Sequence, residues 1–167
     1  YKKFKYLLTN NRNASHLKNR FWGTCNPDPD SWVRKFIDWW IGEDGLAMPE
    51  RDGIVRYCFM EGDSPDSIYW GDTPEDVYLQ CKHLIDPLWK ESYDELGYNK
   101  ITMFIKSVVF VRADLSENVK LVRSDPSYFA SLAQQDEEQK MRDLQGNWNY
   151  KAMGDDMIKL EDMEAFF

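Results

Sequence analysis

Three polar residues in a row, Thr24, Cys25 and Asn26, place a hydroxyl, a thiol and an amide directly after Gly23. A hydroxyl and an amide can hydrogen-bond the terminal phosphate of a nucleotide and change position when that phosphate leaves. Polar residues of this kind are also common in purely structural turns. The triplet, which we call the T-C-N triplet, therefore has two interpretations on residue type alone.

Two prolines and two acids follow the triplet. Pro27 and Pro29 prevent a continuous helix across this segment, because proline lacks an N–H group and restricts the residue before it. Asp28 and Asp30 have a spacing that could be mistaken for a catalytic acid pair. Capping of the next helix is the simpler role for these acids, and Ser31 is a further candidate for the cap.

The elements around the triplet predict where it lies in the fold. Residues 21–23 read as the end of a strand, and a helix is predicted to start after residue 31. The apolar side chains on one face of that helix are Trp32, Val33, Phe36, Ile37 and Trp40. In open α/β sheets such a junction lies at the carboxyl edge of the strands, where ligands bind. We therefore expect the triplet at the edge of a sheet.

Residues 26–33, N-P-D-P-D-S-W-V, preceded by residues 7–13, L-L-T-N-N-R-N, resemble the large terminase subunit of tailed bacteriophages. That protein is the ATPase that drives genome packaging. Further matches are Arg112-Ala113-Asp114-Leu115 with Asn118, Asp125-Pro126-Ser127-Tyr128, and Gly146-Asn147-Trp148. In this family a motif of the T-C-N kind ends a core strand and couples nucleotide hydrolysis to movement. The resemblance implies that role for Thr24, Cys25 and Asn26.

The resemblance also implies an α/β fold: the latter part of a P-loop (RecA/ASCE-like) ATPase core sheet with flanking helices, a β-hairpin and a helical C-terminal segment. Residues 1–42 would end the ATPase core and carry the coupling loop. Residues 43–112 would continue the α/β region with the hairpin and a central strand. Residues 113–167 would form a helical segment and a linker toward a nuclease domain outside the chain. Arg12 is the candidate for stabilising transition-state charge or contacting DNA.

A complete packaging ATPase needs a glycine-rich loop ending in Gly-Lys-Ser/Thr, whose backbone and lysine surround the phosphates. The sequence contains no Gly-Lys pair. The apolar run 108–111 is a poor candidate for the magnesium-handling strand, because Arg112 and Ala113 intervene before Asp114. We expect ATP and magnesium to bind in an intact protein, of which this chain starting at Tyr1 is a piece. No cofactor-binding or metal-binding residue is assigned within the chain, and the chain alone is expected to be inactive.

The implied partners in the intact motor are double-stranded DNA, a portal protein and a small terminase subunit, and the implied location is the host cytoplasm. No partner membrane is expected, because the sequence lacks a run of about 18 apolar residues. An alternative is a non-enzymatic interaction module recognised by a partner such as a host immune sensor. The 15% aromatic content favours that alternative.

Charge distribution raises a third hypothesis, nucleic-acid binding by the amino terminus. The net charge is -8, yet residues 1–20 contain six basic residues and no acid. Those cations could face phosphate, although a solvated helix face is the simpler interpretation.

The cysteines, Cys25, Cys58 and Cys81, are expected to be reduced. Cys58, Cys81 and His83 lack the paired short spacings of structural zinc sites.

The remaining pattern predicts the other elements. Helices are expected over residues 1–9, from Thr73 onward, from Asp125-Pro126 and over 136–144. Residues 54–60 and 67–70 are expected to form an antiparallel hairpin. Residues 101–112 are the most apolar stretch, and we expect them to form a central strand that is buried on both faces. Residues 147–156 are polar and predicted to be a linker.

Overall fold

The computed structural model describes residues 1–12, 19–113 and 117–150. The chain divides into two compact units. The first combines Tyr1–Gly23 with Gly53–Val111, and the second combines Thr24–Asp52 with the chain from Arg112 onward. The fold is mixed α/β, as predicted. The predicted segments 1–42, 43–112 and 113–167 refer to parts of a longer protein, and they stay predictions.

The described residues contain eight α-helices and three strands. Helices and strands are each numbered in chain order. The helices are α1 Lys2–Asn10, α2 Trp32–Phe36, α3 Pro74–Ile85, α4 Glu91–Glu95, α5 Lys100–Phe104, α6 Val119–Ser124, α7 Pro126–Ala133 and α8 Glu137–Asp143. The strands are β1 Val55–Met60, β2 Ile68–Gly71 and β3 Lys106–Val109. Short 3₁₀ turns cover Asp38–Trp40, Pro65–Ser67 and Asp86–Leu88.

The first unit contains the sheet, whose strand order is β2-β1-β3. Both pairings are antiparallel, and Cys58 of β1 lies opposite Trp70 of β2 and Lys106 of β3. The predicted hairpin between residues 54–60 and 67–70 is confirmed. The turn that joins its strands is stabilised by Ser64, whose hydroxyl accepts from the Asp66 N–H.

The core of the first unit lies between α3 and the sheet. Val77, Cys81 and Ile85 recur every four residues along α3 and are fully buried, and they cluster with buried Ile105. That spacing places them on one face of a helix. The predicted start of α3 is confirmed, because the Thr73 hydroxyl accepts from the Asp76 N–H at 3.1 Å.

The predicted central strand over residues 101–112 is wrong. Residues Lys100–Phe104 form α5, and β3 is limited to Lys106–Val109 at an edge of the sheet. The Asn99 side chain accepts from the Thr102 N–H at 3.1 Å, so it starts a helical turn inside the apolar stretch. The central strand is β1, and most of β3 is exposed.

The second unit has its core around α2 and the turn that follows it. Ser31 caps α2, since its hydroxyl accepts from the Val33 N–H at 3.1 Å. Phe36, Ile37 and Trp40 are buried, as the predicted apolar face requires, whereas Trp32 and Val33 are half-buried.

The predicted starts of the last two helices are also confirmed. Asp125 accepts from the Tyr128 N–H at 3.2 Å, and Asp136 accepts from the Gln139 N–H at 2.8 Å. A left-handed glycine, Gly146, with φ of +68°, follows α8. Glycine adopts this conformation without the steric penalty that a Cβ atom brings.

The predicted linker over residues 147–156 is wrong for its first residues. Asn147 and Trp148 are buried. The Asn147 amide donates to the Asp44 carbonyl at 2.8 Å, and the Trp148 N–H donates to the Gly45 carbonyl at 2.8 Å. These bonds hold both residues against the loop after α2. Residues 151–156 lie outside the described residues.

Candidate functional site

The T-C-N triplet lies in an irregular, exposed segment. No helix or strand covers residues 19–28, and all three side chains of the triplet are exposed. The strand predicted to end at Gly23 is therefore absent. Its apolar residues are exposed: Trp22 is 79% exposed and Phe21 is 47% exposed. The Phe21 and Phe4 rings meet edge to face, with ring centroids 5.4 Å apart.

The triplet and Pro27 form part of one wall of a cleft of about 480 Å³ in the second unit. The rest of the lining is Ala113, Arg142, Asp143, Leu144 and Gly146. The cleft thus brings the T-C-N triplet next to the end of α8, although more than one hundred residues separate them in sequence. It offers a hydroxyl, a thiol and an amide beside an ion pair.

The loop between the triplet and α2 is fixed by its own hydrogen bonds. The Asp28 carboxylate accepts from the Asp30 N–H at 3.0 Å, and the Asp28 carbonyl accepts from the Ser31 N–H at 3.2 Å. Asp28 therefore closes a local turn, and Ser31 supplies the helix cap. The expectation that Asp28 caps α2 is corrected accordingly. The reason is that the turn points the Asp28 carboxylate at residue 30, which lies before the helix.

An ion pair between Arg142 and Asp143 also lines the cleft. The Arg142 guanidinium donates to both carboxylate oxygens of Asp143, from Nε at 2.6 Å and from Nη2 at 3.0 Å. This bond, and the charges of Asp143, Asp136 and Asp28, raise the pKa of Arg142 against the opposing effect of burial. Each side chain of the pair is 18% exposed.

The thiol of the triplet differs from the other two thiols of the chain. Cys25 is exposed, and partial desolvation by the surrounding protein raises its pKa. Cys58 is fully buried in the sheet, where desolvation raises its pKa to about 12. Cys81 is fully buried in α3 and its Sγ donates to the Val77 carbonyl at 2.9 Å. Thiolate chemistry in the native chain is therefore expected at Cys25 alone.

The residues of the cleft do not fit ATP with magnesium. The chain has no Gly-Lys pair to surround phosphates, and its described residues include no cluster of three His, Cys, Asp or Glu suited to a metal ion. Among the described residues that line the cleft, the one cation is Arg142, which is paired with Asp143. We therefore derive no step of ATP hydrolysis from these residues. The cleft can exchange hydrogen bonds through Thr24 and Asn26.

The structure does not test the predicted role of Arg12, which stays a prediction. Arg12 belongs to the first unit, where its Nε donates to the Thr9 carbonyl at 3.2 Å. Two other cations of residues 1–20 are engaged within the same unit. Lys2 pairs with Asp63 at 3.2 Å, and Lys5 donates to the carbonyls of Gly62 and Met60. These contacts give part of the basic amino terminus a structural role.

Sequence reasoning missed Arg142 and Asp143 as neighbours of the triplet. Adjacent opposite charges at the end of a helix are common, so they give no signal by themselves. The nearby run from Gly146 to Trp148 did carry a signal, as part of the terminase resemblance.

None of the helices in the described parts of the chain has the length and apolar character needed to cross a membrane.

Comparisons of the chain with protein-family models, with curated proteins and with solved structures find no match. The interpretation of the cleft therefore rests on the sequence motifs together with the geometry described above.

Proposed function

We propose that this chain is the latter part of the ATPase region of a phage large terminase subunit. The intact protein would use ATP and magnesium, held by a P-loop (RecA/ASCE-like) core, to move double-stranded DNA into a procapsid in the host cytoplasm. A portal protein and a small terminase subunit would be its partners, and a separate nuclease domain would cut the DNA. The observation that carries the proposal is the exposed T-C-N triplet, whose Asn26 begins the N-P-D-P-D-S-W-V run, in the lining of a cleft.

Exposure of the triplet supports a coupling role over a purely structural one. A structural turn gains stability when its polar side chains are bonded within the fold, whereas the Thr24, Cys25 and Asn26 side chains face the cleft and solvent. Side chains so placed can bind a phosphate oxygen or a neighbouring group and release it at low cost. The triplet then acts as a sensor, and other residues perform the hydrolysis.

The segment after the triplet can transmit a displacement. Pro27 and Pro29 restrict the backbone, and the Asp28 turn and the Ser31 cap connect that backbone to α2. Phe36 at the end of α2 is buried in the core of the second unit. A shift at Asn26 is therefore passed to a packed helix instead of being absorbed in a flexible loop.

The test is DNA packaging by the full-length protein that contains this chain. Purified protein, procapsids, linear duplex DNA and ATP are mixed, and the DNA that resists nuclease is measured. Protection that requires ATP and procapsids is expected. A protein that is folded and binds DNA, yet protects none of it with ATP present, would overturn the proposal.

A second candidate function, recognition by a host defence protein, is favoured by exposed apolar residues of the first unit. These are Tyr6, Leu7, Phe21 and Trp22, with exposed fractions from 47% to 79%. Capture of one host protein by the parent chain, lost in Trp22→Ala and retained in Leu88→Ala, would favour this function. Leu88 is a matched control because it is also exposed and apolar.

A further inference from the structure

Helix α1 and its cap have two sides with different surroundings. Half-buried residues recur every three or four positions on one side: they are Tyr1, Phe4, Lys5 and Leu8. Exposed residues recur with the same spacing on another side: they are Lys3, Tyr6, Leu7 and Asn10. Residues so spaced share one face of a helix. The half-buried side is held in the first unit, since Lys5 donates to the carbonyls of Met60 and Gly62. The other side faces solvent.

A second segment of the first unit lies along α1. The Asn11 side-chain amide, just after the helix, donates to the Arg20 carbonyl at 2.9 Å. One residue further, the Phe21 ring meets the Phe4 ring edge to face, with centroids 5.4 Å apart. The chain therefore runs back from the end of α1 toward its first turn, and it brings Arg20 and Trp22 beside the helix.

The surface formed by these two segments is basic. Residues 1–23 contain no acid, although the net charge of the chain is -8. Lys2 pairs with Asp63 of the turn after β1 at 3.2 Å. Lys3, Arg12 and Arg20 add three further positive charges, and all three residues are exposed. A polyanion is the partner whose charge complements such a surface.

Exposed aromatic side chains on the same segments favour one kind of polyanion. Tyr6 is 70% exposed and Trp22 is 79% exposed. Exposed aromatic rings among cations provide faces on which nucleic-acid bases stack. In a duplex the bases already stack on one another, whereas single strands offer unstacked bases to such rings. The combination of charge and aromatic rings therefore favours a single strand over a duplex.

We propose that Lys3, Tyr6, Arg12, Arg20 and Trp22 form a binding surface for single-stranded DNA. The three cations contact phosphates, and the two aromatic rings stack on bases. This surface belongs to the first unit and needs no ATP. It goes beyond the proposed packaging function, in which duplex DNA is the cargo and the T-C-N triplet of the second unit provides the coupling.

The test measures binding of a fluorescent oligothymidine of about 12 nucleotides to the 167-residue chain by anisotropy. Each phosphate contact on a single strand contributes about -0.7 to the slope of log affinity against log salt concentration. Three contacts give a slope of about -2, so affinity is expected to fall roughly 20-fold between about 50 and about 200 mM salt. A duplex of the same length keeps its phosphates but hides its bases, and weaker binding is expected.

Two variants separate stacking from charge. Trp22→Ala is expected to weaken binding at least about fivefold because it removes a stacking face, and Trp22→Phe should keep most of the affinity. Arg20→Met should make the salt slope shallower by about 0.7, because one phosphate contact is lost. The matched controls are Tyr98→Ala and Lys90→Met, which remove an exposed ring and an exposed cation elsewhere in the first unit. Both controls should bind like the parent chain.

Several results would overturn the proposal: no binding of the oligothymidine at about 50 mM salt, an affinity that ignores salt, or equally tight binding of the duplex. Equal affinities of Trp22→Ala and Tyr98→Ala would also overturn it. If Trp22→Ala lowers the melting temperature, Arg20→Met becomes the deciding variant, and an unchanged salt slope would then be fatal.

The outcome is independent of the packaging assay, because neither ATP nor procapsids are present. Failure of packaging together with the expected oligothymidine binding would refute the proposed function and leave this surface standing. Capture of a host protein by a chain that does not bind the oligothymidine would overturn the DNA-binding role and assign Trp22 to the second candidate function.

Discussion

The Asn147 side-chain amide donates to the Asp44 main-chain carbonyl at 2.8 Å, which joins residues 103 positions apart in the sequence. The Asn147 side-chain oxygen in turn accepts from the Asn149 N–H at 2.8 Å. The Trp148 N–H donates to the Gly45 carbonyl beside this contact. The two sequence stretches of the second unit are thus joined by hydrogen bonds to a loop.

Asn147→Ala is expected to lower the free energy of unfolding by about 2 to 3 kcal/mol, because it removes two part-buried bonds and leaves the Asp44 carbonyl and the Asn149 N–H without their partners. Asn147 is only 1% exposed, so water cannot easily replace it. Urea denaturation followed by tryptophan fluorescence measures the change, and buried Trp148 supplies a local signal.

Asn149→Ala is the matched control for that prediction. Its amide donates to the Glu43 carbonyl at 3.0 Å, but the residue is exposed, so a loss below about 1 kcal/mol is expected. Equal losses in the two variants would contradict the view that burial makes Asn147 important.

Gly45→Ala is expected to destabilise the chain more than Gly53→Ala. Both glycines have positive φ, +81° and +71°, so the backbone strain of an alanine is similar. A Cβ atom on Gly45 would lie 2.2 Å from the Asn147 side-chain oxygen, whereas one on Gly53 would meet nothing within 4 Å. The expected costs are about 3 kcal/mol or more at Gly45 and about 1 kcal/mol at Gly53. Comparable midpoints in urea for the two variants would count against the contact between Gly45 and Asn147.

The first unit contains a polar contact whose contribution to stability depends on pH. The Asp86 carboxylate accepts from Lys100 Nζ at 2.8 Å and from the Tyr78 hydroxyl at 2.7 Å. These bonds, the one from Lys100 foremost, lower the pKa of Asp86 from 3.8. The hydrogen bond to Asp86 raises the pKa of Lys100 from 10.5.

Asp86→Asn is expected to lower the melting temperature at neutral pH. A carboxyl group with a lowered pKa in the folded state stabilises that state above its unfolded pKa and loses the effect as pH falls through the folded value. The difference between parent and variant should therefore shrink as pH falls below 3.8. On the alkaline side the ion pair is lost as pH rises through the raised pKa of Lys100, above 10.5.

Glu75→Gln is the control for the loss of one negative charge, because Glu75 is exposed in the first turn of α3. Melting curves across the pH range should show a much smaller effect for this variant. A melting-temperature difference for Asp86→Asn that stays constant from neutral to strongly acid pH would disprove the linkage.

Lys5 is expected to stabilise the first unit by fastening α1 to the turn after β1. Its ammonium donates to the carbonyls of Met60 and Gly62. Lys5→Met should cost about 1 kcal/mol and accelerate hydrogen exchange in α1. Lys3→Met removes the same charge from an exposed position of the same helix, and no change in exchange is expected. Equal exchange in the two variants would contradict this role of Lys5.

Local signals in the sequence predicted the starts of several helices correctly. Thr73, Asp125 and Asp136 each supply a side-chain oxygen to an N–H group at a helix start. Such caps depend on residues only two or three positions away, so the sequence contains the whole interaction. The hairpin between β1 and β2 was predictable for the same reason.

Predictions that depended on distant partners failed. The apolar stretch after Asn99 has the composition of a buried strand, but Asn99 starts a helix in it, and within the described sheet β3 is an edge strand paired with β1. Hydropathy cannot tell a central strand from an edge strand, because the position depends on which strands pair. The polar run after Gly146 has the composition of a linker. Its buried residues bond to a loop more than one hundred residues away, so no neighbouring residue in the sequence indicates these bonds.

The candidate site was predictable only in part. The residue types of the T-C-N triplet predicted polar side chains that are able to hydrogen-bond a ligand, and the prolines predicted an irregular loop. Arg142 was not predictable as a residue of the same cleft, because its place there depends on how α8 packs in the second unit. The strand expected to end just before the triplet is absent, since residues 19–28 form no strand.

The most direct measurement of the central claim is the length of DNA packaged per ATP hydrolysed by the full-length protein carrying Asn26→Ala. The account predicts ATP turnover within about threefold of the parent, with the packaged length per ATP reduced at least about tenfold, because hydrolysis continues while coupling fails. Asn10→Ala, an exposed asparagine of α1, is the matched control and should package normally. An unchanged ratio for Asn26→Ala, with packaging intact, would contradict the assignment of the triplet to coupling.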